Sequence, residues 1–87
     1  MNDDLANAIL TDHARTEMAR RQVTEAAVRE ILKHPQESSR VRPGRVVVQS
    51  VLADGYLLRV FVDIDRSPPE VVTVYRTSRI AKYSRLP

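Results

Sequence analysis

The sequence predicts an α+β fold, with two N-terminal helices packed on one face of a three- to four-stranded antiparallel sheet. Three observations predict it. Apolar residues recur at helical spacing between about residues 11 and 35, behind capping side chains. From about residue 45 to 83 the apolar period changes to two. Glycine, proline and aspartate stand between the alternating segments, where turns are required. Eighty-seven residues close only one modest core, so the chain reads as a single domain.

In the stretch TDHARTEMARR, residues 11–21, Thr11 or Asp12 serves as the N-cap, and Ala14 and Met18 at i, i+4 supply a buried face. Gln22 and Val23 end this helix. Thr24 caps the second, with Glu25 favourably placed against the positive end of its dipole. Ala27, Val28, Ile31 and Leu32 form its apolar stripe; Lys33 and His34 suit its last turn, and Pro35 stops it. QESSRVRPGR, residues 36–45, reads as a polar loop. Strands follow at 46–52, 56–64 and 71–77, joined by the hairpin residues Ala53, Asp54 and Gly55 and by DRSPP at 65–69. The tail RIAKYSRLP either adds an edge strand or drapes across the sheet.

Alternation assigns the faces. Tyr56, Leu58, Val60, Val62 and Ile64 form an apolar set expected to meet the helices, and Leu57, Arg59, Phe61 and Asp63 form the opposite, open face. The third strand divides into Val72, Val74 and Arg76 against Val71, Thr73, Tyr75 and Thr77. Through a five-residue loop the register is undetermined, so either Arg76 or the pair Thr73 and Tyr75 joins Arg59.

Composition narrows the classes of function. There is no cysteine, hence no disulfide framework and no thiolate metal site. No apolar run approaches the roughly 20 residues of a membrane helix, and MNDDLANAIL lacks a basic signal-peptide region, so a cytoplasmic protein is expected. Net charge is +3, with twelve arginines against two lysines. Guanidinium groups bind phosphate bidentately and stack on bases, which favours an anionic partner such as RNA; GC-rich coding would also raise arginine content.

Several residues carry candidate chemistry. A neutral His13 near a helix N-terminus has the character of a general base, though a first-turn histidine paired with Glu17 is the plainer reading. Arg59, beside Thr73 and Tyr75 or Arg76, with Tyr83 and Lys82 folding back, suits phosphate clamping and base stacking; an ordinary solvated sheet has the same composition. Arg42 and Arg45 flank a Pro-Gly turn and can also hold phosphate. His13 and Glu17 have i, i+4 spacing but no third ligand at motif spacing, so no metal or other cofactor is expected.

The string H-A-x-x-x-M-x-x-R-x-V at 13–23, the second helix ending in Pro35, and the segments GRVVVQSV, LLRVFVD and VVTVYRTSRIAKY resemble the bacterial and archaeal "domain of unknown function 4258" proteins. The likeness runs from about Leu10 to Tyr83 and lies in the order and spacing of the pieces. It implies kinship with the RelE and BrnT ribonuclease toxins of the barnase/EndoU/colicin/RelE superfamily, and a small antitoxin encoded nearby. By that resemblance the site residues are His13, Arg21, Arg59, Thr73, Tyr75 and Tyr83. His13, Arg59, Tyr75 and Tyr83 would be catalytic, and Arg21 and Thr73, joined by Arg45, Arg76 and Lys82 from their places in the turn, strand and tail, would bind RNA. The expected activity is metal-independent RNA cleavage by acid–base chemistry; the alternative is a non-catalytic module that binds RNA or protein on the open face. Two departures stand out: Glu17 replaces a basic residue of many relatives, and Gln22 replaces a glycine.

Overall fold

The computed structural model describes residues 3–85; Met1, Asn2, Leu86 and Pro87, the extremities of the acidic N-terminal stretch and the basic tail, lie outside the described residues. After a short 3-10 helix, Asp3–Asn7, come β1 (Ile9–Leu10), α1 (Asp12–Arg20), α2 (Glu25–Lys33), β2 (Glu37–Arg42), β3 (Arg45–Val51), β4 (Leu57–Asp63), β5 (Glu70–Thr77) and α3 (Ile80–Tyr83). The fold is α+β, but its sheet has five strands in the order β1-β5-β4-β3-β2. It is also mixed, because β1 runs parallel to β5. Two strands therefore correct the expectation of three or four antiparallel ones. β1 has only two residues, too few for an alternation signal. β2, ESSRVR, reads as a loop because an edge strand exposed on almost every residue has no apolar period.

Both helices begin as their caps dictate. Thr11 accepts from the Ala14 N–H at 3.1 Å, and Thr24 from the Ala27 N–H at 3.1 Å. The Thr11 hydroxyl also donates to the Val71 carbonyl at 2.9 Å, fixing the start of α1 against β5. α1 stops in a Schellman turn: Gln22 adopts φ +57°, and the Val23 N–H reaches back to the Met18 carbonyl at 2.8 Å. Met18 and Val23 are both buried there, the apolar contact that accompanies this turn.

Ala14, Met18, Val28, Ile31 and Leu32 pack on Val48, Leu58, Val60, Val62, Val71 and Val74, with Leu5, Ala8 and Leu10 closing one end. Each fully buried Val or Leu contributes roughly 1.5–3 kcal/mol of transfer free energy. Two face assignments are corrected by this core. Tyr56 and Ile64 lie just outside β4 and are 36 % and 46 % exposed, because the helices do not reach the ends of the strand. Val71 joins the helix-facing set, since pairing steps from Phe61↔Thr73 to Val62↔Val71 and leaves Val72 as an extra, bulged residue. A bulge reverses the phase of everything before it.

The tail drapes over the sheet rather than extending it. After Thr77 the chain turns through α3 and crosses the face opposite the helices: the Gln49 amide donates to the Tyr83 carbonyl at 3.0 Å, and the Arg85 N–H to Glu37 Oε2 at 2.9 Å. That face is consequently half covered rather than open, and Gln49, Leu57 and Thr77 on it are buried.

Candidate functional site

Pairing across β2 to β5 places Glu37, Gln49, Arg59 and Tyr75 in one row on the tail-bearing face. The next row holds Val47, Phe61 and Thr73. Register thus settles which residues accompany Arg59: Thr73 and Tyr75 do. Arg76 pairs opposite the core residue Leu58 and belongs to the other side.

Within the row, Arg59 Nε donates to Gln49 Oε1 at 2.8 Å, and Gln49 Nε2 donates to Glu37 Oε1 at 2.9 Å. The amide is oriented by charge, its oxygen toward the cation and its nitrogen toward the carboxylate. Above the row the Arg59 guanidinium lies 4.3 Å from the Tyr83 ring centroid and 5.2 Å from that of Phe61. Tyr83 meets Tyr75 edge-on, with centroids 5.9 Å apart. From the C-terminal end of α1, Arg21 reaches the Tyr75 ring at 5.0 Å, and Lys82 stands 5.4 Å from Tyr83. Five predicted residues, Arg21, Arg59, Tyr75, Lys82 and Tyr83, therefore form one cluster, with Thr73 in the adjacent row.

Electrostatics single out Arg59. Arg21, Arg29, Arg45 and Arg76, the other half-buried guanidiniums, face Glu17, Glu25, Asp63 and Asp54 respectively. Among the described residues Arg59 has no carboxylate within ion-pair distance, and only its Nε carries a hydrogen bond. Burial lowers its pKa, opposed by the Tyr83 and Tyr75 hydroxyls. Tyr75 is held below the usual tyrosine range by the Tyr83 hydroxyl first, then by Thr77 and the Arg21 and Lys82 charges.

Other predicted residues lie elsewhere. His13 is exposed on the first turn of α1, without a hydrogen bond or ion pair among the described residues. Eight residues separate it from Arg21, about 12 Å along a helix axis. Glu17 turns to Arg20 and Arg21, both at 3.2 Å, and these cations hold its carboxyl below the usual range, Arg20 most strongly. Arg45 is locked to buried Asp63, Nε to Oδ1 at 2.6 Å, which raises the arginine pKa and lowers that of the acid. Arg76 sits over Tyr56 at 3.9 Å and bonds Asp54 at 2.7 Å. No group of three potential metal ligands occurs among the described residues, and no described helix is long and apolar enough to cross a membrane. Gln49 and Glu37 complete the cluster without having been singled out; a lone amide within VVVQSV was the available signal, and Glu37 was hidden in the apparent loop.

No curated protein and no solved structure matches the chain. The family described as Domain of unknown function (DUF4258) matches residues 10–76, a span that holds α1, α2 and the sheet except its first and last residues, Ile9 and Thr77. On that match the chain belongs to the DUF4258 family.

Proposed function

We propose that this chain acts on RNA as a RelE/BrnT-like, toxin-type domain, binding an unpaired strand at the Arg59 cluster. The observation that carries the reading is a half-buried guanidinium with no described carboxylate partner, set among aromatic rings. A desolvated cation of this kind is costly by itself and is offset when a phosphate arrives. Tyr83 and Phe61 offer faces for bases, and Lys82 and Arg21 add positive charge to each side. In a cytoplasmic toxin–antitoxin setting, a small antitoxin would act by covering this cluster.

A test is fluorescence polarisation with labelled single-stranded RNA. Arg59→Met should weaken binding by roughly tenfold or more, and affinity should fall steeply with added salt. His13→Ala should leave binding unchanged. Native-like affinity for the Arg59→Met protein refutes the reading.

Cleavage is the second reading, favoured by the edge-on meeting of Tyr75 and Tyr83 beside Arg21 and Arg59, with a lowered Tyr75 pKa in the same direction. A Tyr75 phenolate would take the proton of a 2′-hydroxyl, the 2′-oxygen would attack phosphorus, and the departing 5′-oxygen would receive a proton from Tyr83. Arg59 and Arg21 would stabilise the phosphorane, giving a cyclic phosphate and a 5′-hydroxyl end without metal. His13 is two helical turns from Arg21, so the base role moves from it to Tyr75. Incubation with RNA in EDTA decides the matter: cleavage lost in Tyr75→Phe and kept in His13→Ala supports it, and intact RNA at high native protein concentration leaves binding alone.

A further inference from the structure

The helices leave part of their own side of the sheet bare. A cavity of about 830 Å³ is lined there by Leu5, Val46, Ile64, Arg66 and Pro69, among others. A second, of about 220 Å³, shares Val46 and Ile64 with it and continues to Arg40 and Arg42. The two form one groove with an apolar floor and a cationic end.

We propose that this groove docks a short acidic segment of another protein, seating one large apolar side chain on Val46 and Ile64 and its carboxylates on Arg40 and Arg42. Ile64 is 46 % exposed although it borders the core strand, and so is available as a floor. Arg40 and Arg42 are exposed and in no ion pair among the described residues, whereas Asp65, the acid lining the groove, is engaged by Arg66 at 3.1 Å. The groove's unmet charge is therefore positive, and its complement is acidic. Among the described residues its lining carries no aromatic ring on which a base could stack, unlike the Arg59 face. Addition of a strand to β2 is opposed by the irregularity between Arg40 and Arg42 and by the charges on that edge. A side-chain groove is the mode that remains, and it is independent of the RNA reading.

The experiment uses the full chain and a fluorescein-labelled peptide with a central Leu-Phe pair between runs of glutamate. A control peptide replaces Leu-Phe with Ala-Ala. Saturable binding of the first is expected, weakened roughly tenfold by Ile64→Ser, by the double change Arg40→Ser and Arg42→Ser, or by the control peptide. Arg59→Met should bind the acidic peptide like the native chain. Absence of saturable binding overturns the proposal. So does native-like affinity in both groove variants, equal binding of the control peptide, or loss of binding in Arg59→Met.

Discussion

Gln49 and Arg59, adjacent across β3 and β4, share a hydrogen bond of 2.8 Å, and the amide passes the polarity of that cation on to Glu37. One buried, uncharged side chain thereby ties a guanidinium, a carboxylate and the tail carbonyl of Tyr83 into one network. Arg59 and Glu37 are thus linked through a neutral mediator rather than as an ion pair. A direct ion pair would neutralise Arg59; mediation orients it and leaves its terminal amino groups for an anion.

This arrangement separates stability from binding. Arg59→Met loses a hydrogen bond and two cation–π contacts but relieves desolvation, so unfolding free energy should change by no more than about 1 kcal/mol while RNA affinity falls. Arg45→Met leaves buried Asp63 with only the longer Arg66 ion pair at 3.5 Å and should cost about 1–3 kcal/mol with RNA affinity unchanged. Urea titration beside RNA binding for the two variants checks the contrast.

Release of the tail should depend on acid. Hydrogen bonds from Ser84, Gln49 and the Arg85 N–H hold Glu37 below the usual glutamate range. A folded value that is depressed contributes stability above the unfolded value, and that contribution is lost as pH falls through the folded one. The Tyr83 ring resonances should accordingly shift as pH drops below about 4.3, and Glu37→Gln should abolish that step. An identical profile in both proteins would show that the tail is held by other contacts.

The Tyr75 hydroxyl should titrate below the ordinary tyrosine value of about 10, as followed by NMR of its ring carbons. Tyr83→Phe should move the midpoint back up the most, and Arg21→Ala by a smaller amount. A midpoint at the ordinary value in the native protein would remove the ground for a catalytic Tyr75.

Gln22 occupies the position after α1 where a left-handed backbone favours glycine. Its φ of +57° carries a steric penalty that glycine avoids, partly balanced by the greater unfolded-state freedom of glycine. Gln22→Gly should therefore stabilise the chain by up to about 1 kcal/mol, a rise in Tm of a few degrees. Thermal unfolding measures it directly, and a lower Tm would contradict the account.

Much of this architecture was legible from short-range chemistry. Threonine caps, the i, i+4 apolar pairs and the alternation of LLRVFVD depend on neighbours in sequence, and the helices and central strands follow them. What escaped depends on distant neighbours. β1 exists because Ile9 and Leu10 meet Glu70 and Val71, about sixty residues on. Val71 changes faces because of one bulged residue that no period reveals. The same reasoning named Arg59, Tyr75 and Tyr83, which the fold brings together, and His13, which it leaves exposed on the first turn of α1. Residue type shows what a side chain can do, and only the fold shows what stands beside it.

The two margins of the sheet have a practical corollary. One is a strand of two residues; the other is irregular and dotted with arginines. Neither presents a long, flat ladder for a second molecule to copy, so concentrated solutions of the native chain should resist fibril growth. Substitutions that regularise Val41 or discharge its neighbours would remove that safeguard.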